Sequence, residues 1–178
     1  MNDNIKKIII EPEKQKSQQS KTKKINFEKE IKLRVETKSW GLNEEDLLHK
    51  TQLNSLISNN DNKYTLNLLS HIKLKLSGYK QQDIIKKKYN ETNFVSCEEV
   101  ITLLKQSELK CCYCSNNVYI LYEIVREMKQ WSLDRIDNNL GHNSNNLVVA
   151  CLECNLKRKR TNKDAFMFTK NMVIVKKD

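Results

Sequence analysis

The chain of 178 residues has no run of 18 apolar residues, a single proline, three glycines and only 38% hydrophobic residues. Without such a run no segment can cross a bilayer as a helix. The apolar cluster near the start, Ile8-Ile9-Ile10, is too short for the core of a secretory signal. A soluble, intracellular protein without a membrane partner is therefore expected. Modest apolar content at this length limits the chain to one substantial core, with part of the sequence packing none of its own. Absence of a secretory route also argues against a disulfide framework for the six cysteines. Four of them stand in two C-x-x-C pairs, which points to metal instead.

What the chain has in excess is positive charge. A formal net charge of +10 favours a polyanionic partner, because lysines and arginines placed on phosphates release condensed counterions. Nucleic acid is the expected partner and DNA the first choice, although charge by itself does not separate DNA from RNA. Residues 1–40 are poor in apolar periodicity and include the stretch Lys14 to Lys24, so a disordered basic tail is expected there. It can serve as a phosphate-binding arm, as a signal for the nucleus, or simply as a solvated segment.

Residues 41–95 are read as a helical region. Leu47, Leu48, Leu53, Leu56 and Ile57, then Leu66, Leu68, Leu69, Ile72 and Leu76, recur at helical spacing around the polar turn Ser58 to Asn62. Two helices follow, with Gly78 as punctuation and a further short helix over Gln81 to Tyr89. His49 and His71 belong to no motif in this region and are read as structural. Residues 96–178 form the third unit. Ser96-Cys97-Glu98-Glu99 has the form of a capping box opening a helix that buries Val100, Leu103, Leu104 and Leu109 and delivers the chain to Cys111.

Cys111-x-x-Cys114 and Cys151-x-x-Cys154 are two knuckles whose four thiolates close a tetrahedron around one zinc. No coordination position is left open for substrate, so such a zinc is structural. The 36 residues between the knuckles must hold secondary structure of their own. Trp131 to Asp137 is predicted as a strand, the stretch around Gly141-His142 as a polar loop and Asn146 to Ala150 as a returning strand. A basic helix runs on from Asn155. Ala165 to Phe168 and Met172 to Val175 are read as packing back as a closing strand. The fold class is α+β.

At this point the sequence resembles the zinc-bearing HNH endonucleases, whose ββα-metal unit carries C-x-x-C, an apolar-Asp-His strand, a loop, an Asn-led apolar run and C-x-x-C-(His/Asn). The residues that carry the resemblance are Cys111 and Cys114, Leu133-Asp134-Arg135, Asn146 to Cys151, and Cys154-Asn155-Leu156-Lys157, over about residues 96 to 160. The string around Leu133-Asp134-Arg135-Ile136-Asp137 also resembles a subset of these proteins encoded by large DNA viruses. The resemblance implies that Asp134 and Asn155 offer oxygen ligands to a catalytic Mg²⁺ or Mn²⁺ and that Asn146 pins the loop. It further implies hydrolysis of phosphodiester bonds in DNA, leaving a 5′-phosphate.

One position departs from the family pattern. The usual general base is the histidine after the aspartate, and Arg135, which stands there, remains protonated. His142 is the nearest replacement and Asp137 the alternative, while Arg135 itself can clamp a phosphate. Lys157, Arg158, Lys159, Arg160 and Lys163 put five cations within nine residues, a set suited to flanking phosphates with little sequence preference. The other functional class is a DNA-binding or scaffolding module of the same fold, impaired in catalysis by Arg135.

Overall fold

The computed structural model describes residues 7–10, 31–58, 60 and 62–176. After two short 3-10 turns comes helix α1 (His49–Ser58), which ends where the polar turn was expected. Asn62 then opens α2 (Lys63–Ile85) by accepting the amide of Thr65 at 2.8 Å. Helix α2 runs without a break through Gly78, so the predicted separate helix over Gln81 to Tyr89 does not exist. A Cβ at Gly78 would meet nothing within 4 Å, so this glycine sits on an open helix face and marks no turn. The helix stops at Ile85, and Lys87 turns the chain with φ of 55°.

Helix α3 (Cys97–Gln106) starts with both bonds of the capping box in place: Glu99 N donates to Ser96 Oγ at 3.2 Å and Ser96 N to Glu99 Oε2 at 2.7 Å. Leu56 of α1, Leu68 and Ile72 of α2, and Val100 and Leu104 of α3 are all buried in one core. Each contributes roughly 1.5–3 kcal/mol of transfer free energy. Gln52 locks α1 to the chain beyond. Its Oε1 accepts from Ile120 N at 2.8 Å and Leu121 N at 3.0 Å, and its Nε2 donates to Leu121 O at 3.0 Å and Leu47 O at 3.1 Å.

Strands β2 (Trp131–Arg135) and β3 (Leu147–Cys151) pair antiparallel, with Trp131 opposite Cys151 and Arg135 opposite Leu147. Helix α4 (Leu152–Arg158) follows at once, because Cys151 ends β3 and caps the helix, its Sγ accepting from Cys154 N at 3.4 Å. The helix begins before Asn155 and closes at Arg158, earlier than a helix carrying all five cations would require. Lys159, with φ of 54°, ends it.

Ala165 to Phe168 form no strand. Asn162 caps Asp164 N and Ala165 N and opens helix α5 (Lys163–Lys170). Beyond it β4 (Val173–Lys176) pairs in parallel with β1 (Lys7–Ile10). The first 40 residues are thus not tail throughout: β1 lies within them, and Arg34 N donates to Glu123 O at 2.7 Å while its guanidinium lies 4.6 Å from the Tyr122 ring. The basic stretch Lys14 to Lys24 lies outside the described residues. Mixed helix and strand make the class α+β, and no described helix is long and apolar enough to cross a membrane.

Candidate metal centre and strand-edge site

The first knuckle is a tight turn in which Ser115 N donates to Cys111 O at 2.9 Å, and Cys112 N donates to Val149 O at 2.9 Å, binding the turn to β3. The second knuckle is the first turn of α4. The Sγ atoms of Cys111, Cys114, Cys151 and Cys154 all lie within 4.8 Å of one another. Cys114 Sγ and Cys151 Sγ are 3.9 Å apart, close to the edge of about 3.8 Å that a tetrahedron with Zn–S bonds of about 2.3 Å would have. Four soft donors at this spacing could hold one metal ion such as zinc. A hydrogen bond from Cys151 pushes the Cys111 thiol down to about 4, and the same contact pushes Cys151 up.

Asp134 faces the interior from β2, with 4% of its surface exposed. Its Oδ1 accepts from Arg158 Nη1 and its Oδ2 from the Tyr113 hydroxyl, each at 2.7 Å. Burial pushes the carboxyl above the usual range, and these two donors act against the rise. Arg158 therefore differs from the expected row of phosphate contacts: it is fully buried, and its Nη2 donates to Ile136 O at 3.0 Å. Lys157, Lys159 and Arg160 are exposed, Lys157 being tied to Glu153 at 2.6 Å, and the half-buried Lys163 lies 3.6 Å from Asp164.

Arg135, the next residue on the strand, points to the opposite face. Its side chain is 14% exposed, with Nη1 donating to Leu140 O at 3.1 Å and lying 3.9 Å from Asp83 Oδ1. An arginine committed inward in this way is no free phosphate clamp. Asp83, fully buried on α2, holds His142: Oδ1 lies 2.9 Å from His142 Nδ1, and Oδ2 accepts the His142 amide at 2.5 Å. If Asp83 accepts on Oδ1 as it does on Oδ2, Nδ1 carries the proton and Nε2 keeps the lone pair of a neutral ring. The ring stacks on Tyr79 at 4.4 Å. Burial lowers the His142 pKa from its ordinary value, with Asp83 opposing and Arg135 and Lys86 adding to the fall.

Asn146 spans the loop between the strands. Its Oδ1 accepts from Asp137 N at 2.9 Å, and its Nδ2 donates to Asp137 O at 3.1 Å and Gly141 O at 3.0 Å. Asp137 is exposed and accepts from Asn139 N at 2.8 Å, the habit of a turn carboxylate.

The two faces of the strand meet at Leu133. In an antiparallel pair the N–H and C=O of one residue point to the same edge, and those of Leu133 point away from β3. Tyr79 Oη accepts the N–H at 3.0 Å, and the C=O accepts from Asn155 Nδ2 at 3.3 Å. Asn155 Nδ2 is also 3.2 Å from Ser132 Oγ. With the nitrogen turned to β2, the amide oxygen is left on its far side. His142, Arg135 and Asn146 thus gather at the loop, Asp134 and Arg158 lie under the strand, and Asn155 stands at the edge between them.

Sequence reasoning missed Asp83, Tyr79 and Tyr113. Asp83 had a signal: it is the one acidic residue of α2. Comparison with known proteins gives no match, neither to a family model nor to a curated protein nor to a solved structure.

Proposed function

We propose that this chain is a metal-dependent endonuclease of the HNH type, stapled by a structural zinc and acting on DNA with largely sequence-independent contacts. The observation that carries the reading is the convergence on Leu133. The tyrosine stacked on His142 and the amide of Asn155 bind the N–H and the C=O of the same residue, one place before Asp134. His142 offers a neutral imidazole with its lone pair on Nε2, which suits a general base that takes a proton from water. Asn155 and Asp134 carry the hard oxygens that Mg²⁺ or Mn²⁺ prefers, and to share one ion with Asp134 the Asn155 amide would turn its oxygen toward β2. Each oxygen of Asp134 accepts one hydrogen bond and keeps a second lone pair. A metal bound there would supply charge stabilisation at the scissile phosphate. Lys159 and Arg160, exposed just past α4, would meet flanking phosphates.

The test is nicking of supercoiled plasmid by the zinc-loaded chain in Mg²⁺ or Mn²⁺. Cleavage is expected in the wild type, absent in Asn155→Ala and Asp134→Ala, and strongly reduced in His142→Ala. Wild-type cleavage in His142→Ala would remove it as the base.

A second reading, a binding or scaffolding module without catalysis, is favoured by one observation: both oxygens of Asp134 are engaged inside the core by Arg158 and Tyr113. It predicts salt-sensitive DNA binding and no cleavage in any divalent metal. RNA or branched DNA would use the same surfaces, and competition with those substrates in the plasmid assay separates them.

A further inference from the structure

Asp83 belongs to the helical region, 59 residues before His142 in sequence, and no motif includes it. A buried carboxylate is costly unless its lone pairs are filled. Here one residue fills both oxygens, through its ring and its backbone amide. The seat is tight. A Cβ on Gly141 would fall 2.5 Å from Lys88 O and 2.8 Å from Asp83 Oδ2, so the loop rests directly on the end of α2. Val95 N donates to His142 O at 3.0 Å from the other side, and Tyr79 stacks on the ring. A staple between loop and helix would need only the backbone bond. The second bond, to the ring, sets which nitrogen is free.

We propose that Asp83 is a positioning residue for His142: it fixes the imidazole in the tautomer with the proton on Nδ1 and directs Nε2 to the strand-edge site. The inference rests on the nuclease reading above, and it makes α2 part of the catalytic unit. The charged and titratable groups around the imidazole are Asp83 and Tyr79 from α2, Lys86 just past its end and Arg135 from β2. Among these Asp83 is the one anion.

Ring ¹⁵N–¹H correlation on the ¹⁵N-labelled full chain with zinc bound reads the tautomer directly. The wild type is expected to show the His142 proton on Nδ1 and a lone pair on Nε2. Asp83→Asn keeps the size of the side chain but offers one acceptor where two are used, so a mixed or reversed tautomer is expected. Its kcat for plasmid nicking should fall roughly 10²–10⁴-fold, with KM and zinc content within about twofold of wild type. A wild-type proton on Nε2, or Asp83→Asn with wild-type kcat, would overturn the assignment. If Asp83→Asn fails to fold, the wild-type spectrum still decides. A chain that never cleaves DNA would sink the nuclease reading alone, and the same spectrum would still test Asp83.

Discussion

Arg158 and Asp134 form an ion pair 2.7 Å long whose side chains are 0% and 5% exposed, so a cation from the most basic stretch of the chain is part of the core. Breaking a buried pair from one side leaves an uncompensated charge at a cost of about 3–5 kcal/mol. Arg158→Met should lower the free energy of unfolding in urea by that amount. The double variant Asp134→Asn with Arg158→Met, in which residue 134 can still accept from Tyr113, should recover most of it. Equal losses in the single and double variants would mean the pair contributes nothing.

The remaining cations should divide by whether an acidic partner already holds them. Lys159→Gln and Arg160→Gln should each weaken DNA binding and reduce the slope of log K against log salt by about 0.9 for every phosphate no longer neutralised. Lys157→Gln, already paired with Glu153, should do less. Titrations of a fluorescent duplex at several salt concentrations would read this order, and an equal effect at all three positions would refute it.

Gly141→Ala is expected to destabilise the fold by about 1–3 kcal/mol, the usual cost of overpacking, because the new methyl meets the Lys88 carbonyl and Asp83. The variant should also loosen His142, seen as broadening of its ring resonances. An unchanged melting curve would contradict the close seat of the loop on α2.

His71 contributes a pH dependence. Burial first, then Arg34 and Lys75, push it down from 6.5 to about 4. Between these values the unfolded chain binds more protons than the folded one, so stability is full above pH 6.5 and is lost as pH falls toward 4. His71→Phe, which can keep the edge contact with Trp40, should flatten urea stability across that window. The same slope in the variant would place the effect elsewhere.

Chelation of the metal, or Cys154→Ser, should drop bound zinc from one equivalent to none. The melting point should fall by more than about 10 °C, as expected for several kcal/mol in a chain of this size. Elemental analysis and circular dichroism on the same sample test both, and retention of one equivalent of zinc by Cys154→Ser would count against the four-cysteine site.

What is legible in the sequence is local. The C-x-x-C knuckles, the Ser96 and Glu99 capping box and the two strands between the knuckles each depend on residues a few positions apart. Arg158 and Asp83 are not legible for the opposite reason. Each pairs across a long stretch of chain, and each sits among lysines that make its helix look solvated. Gly78 reads as a break, yet one glycine in a 23-residue helix costs only about 1 kcal/mol against alanine. In 165–168 the apolar run suggests strand, while the Asn162 cap decides for helix.

The coverage of the two-stranded sheet has one more consequence. On the outer side of β2, Trp131 and Leu133 are occupied by Tyr119, Lys75, Tyr79 and Asn155. On the outer side of β3, Val149 is occupied by Cys112, which stands between Cys111 and Cys114 in the first knuckle. At these residues the borders offer no template to a strand from another molecule. The candidate metal centre and the sheet border are thus one piece of structure: the turn that sets Cys111 and Cys114 beside Cys151 and Cys154 is the same turn that closes β3 at Val149.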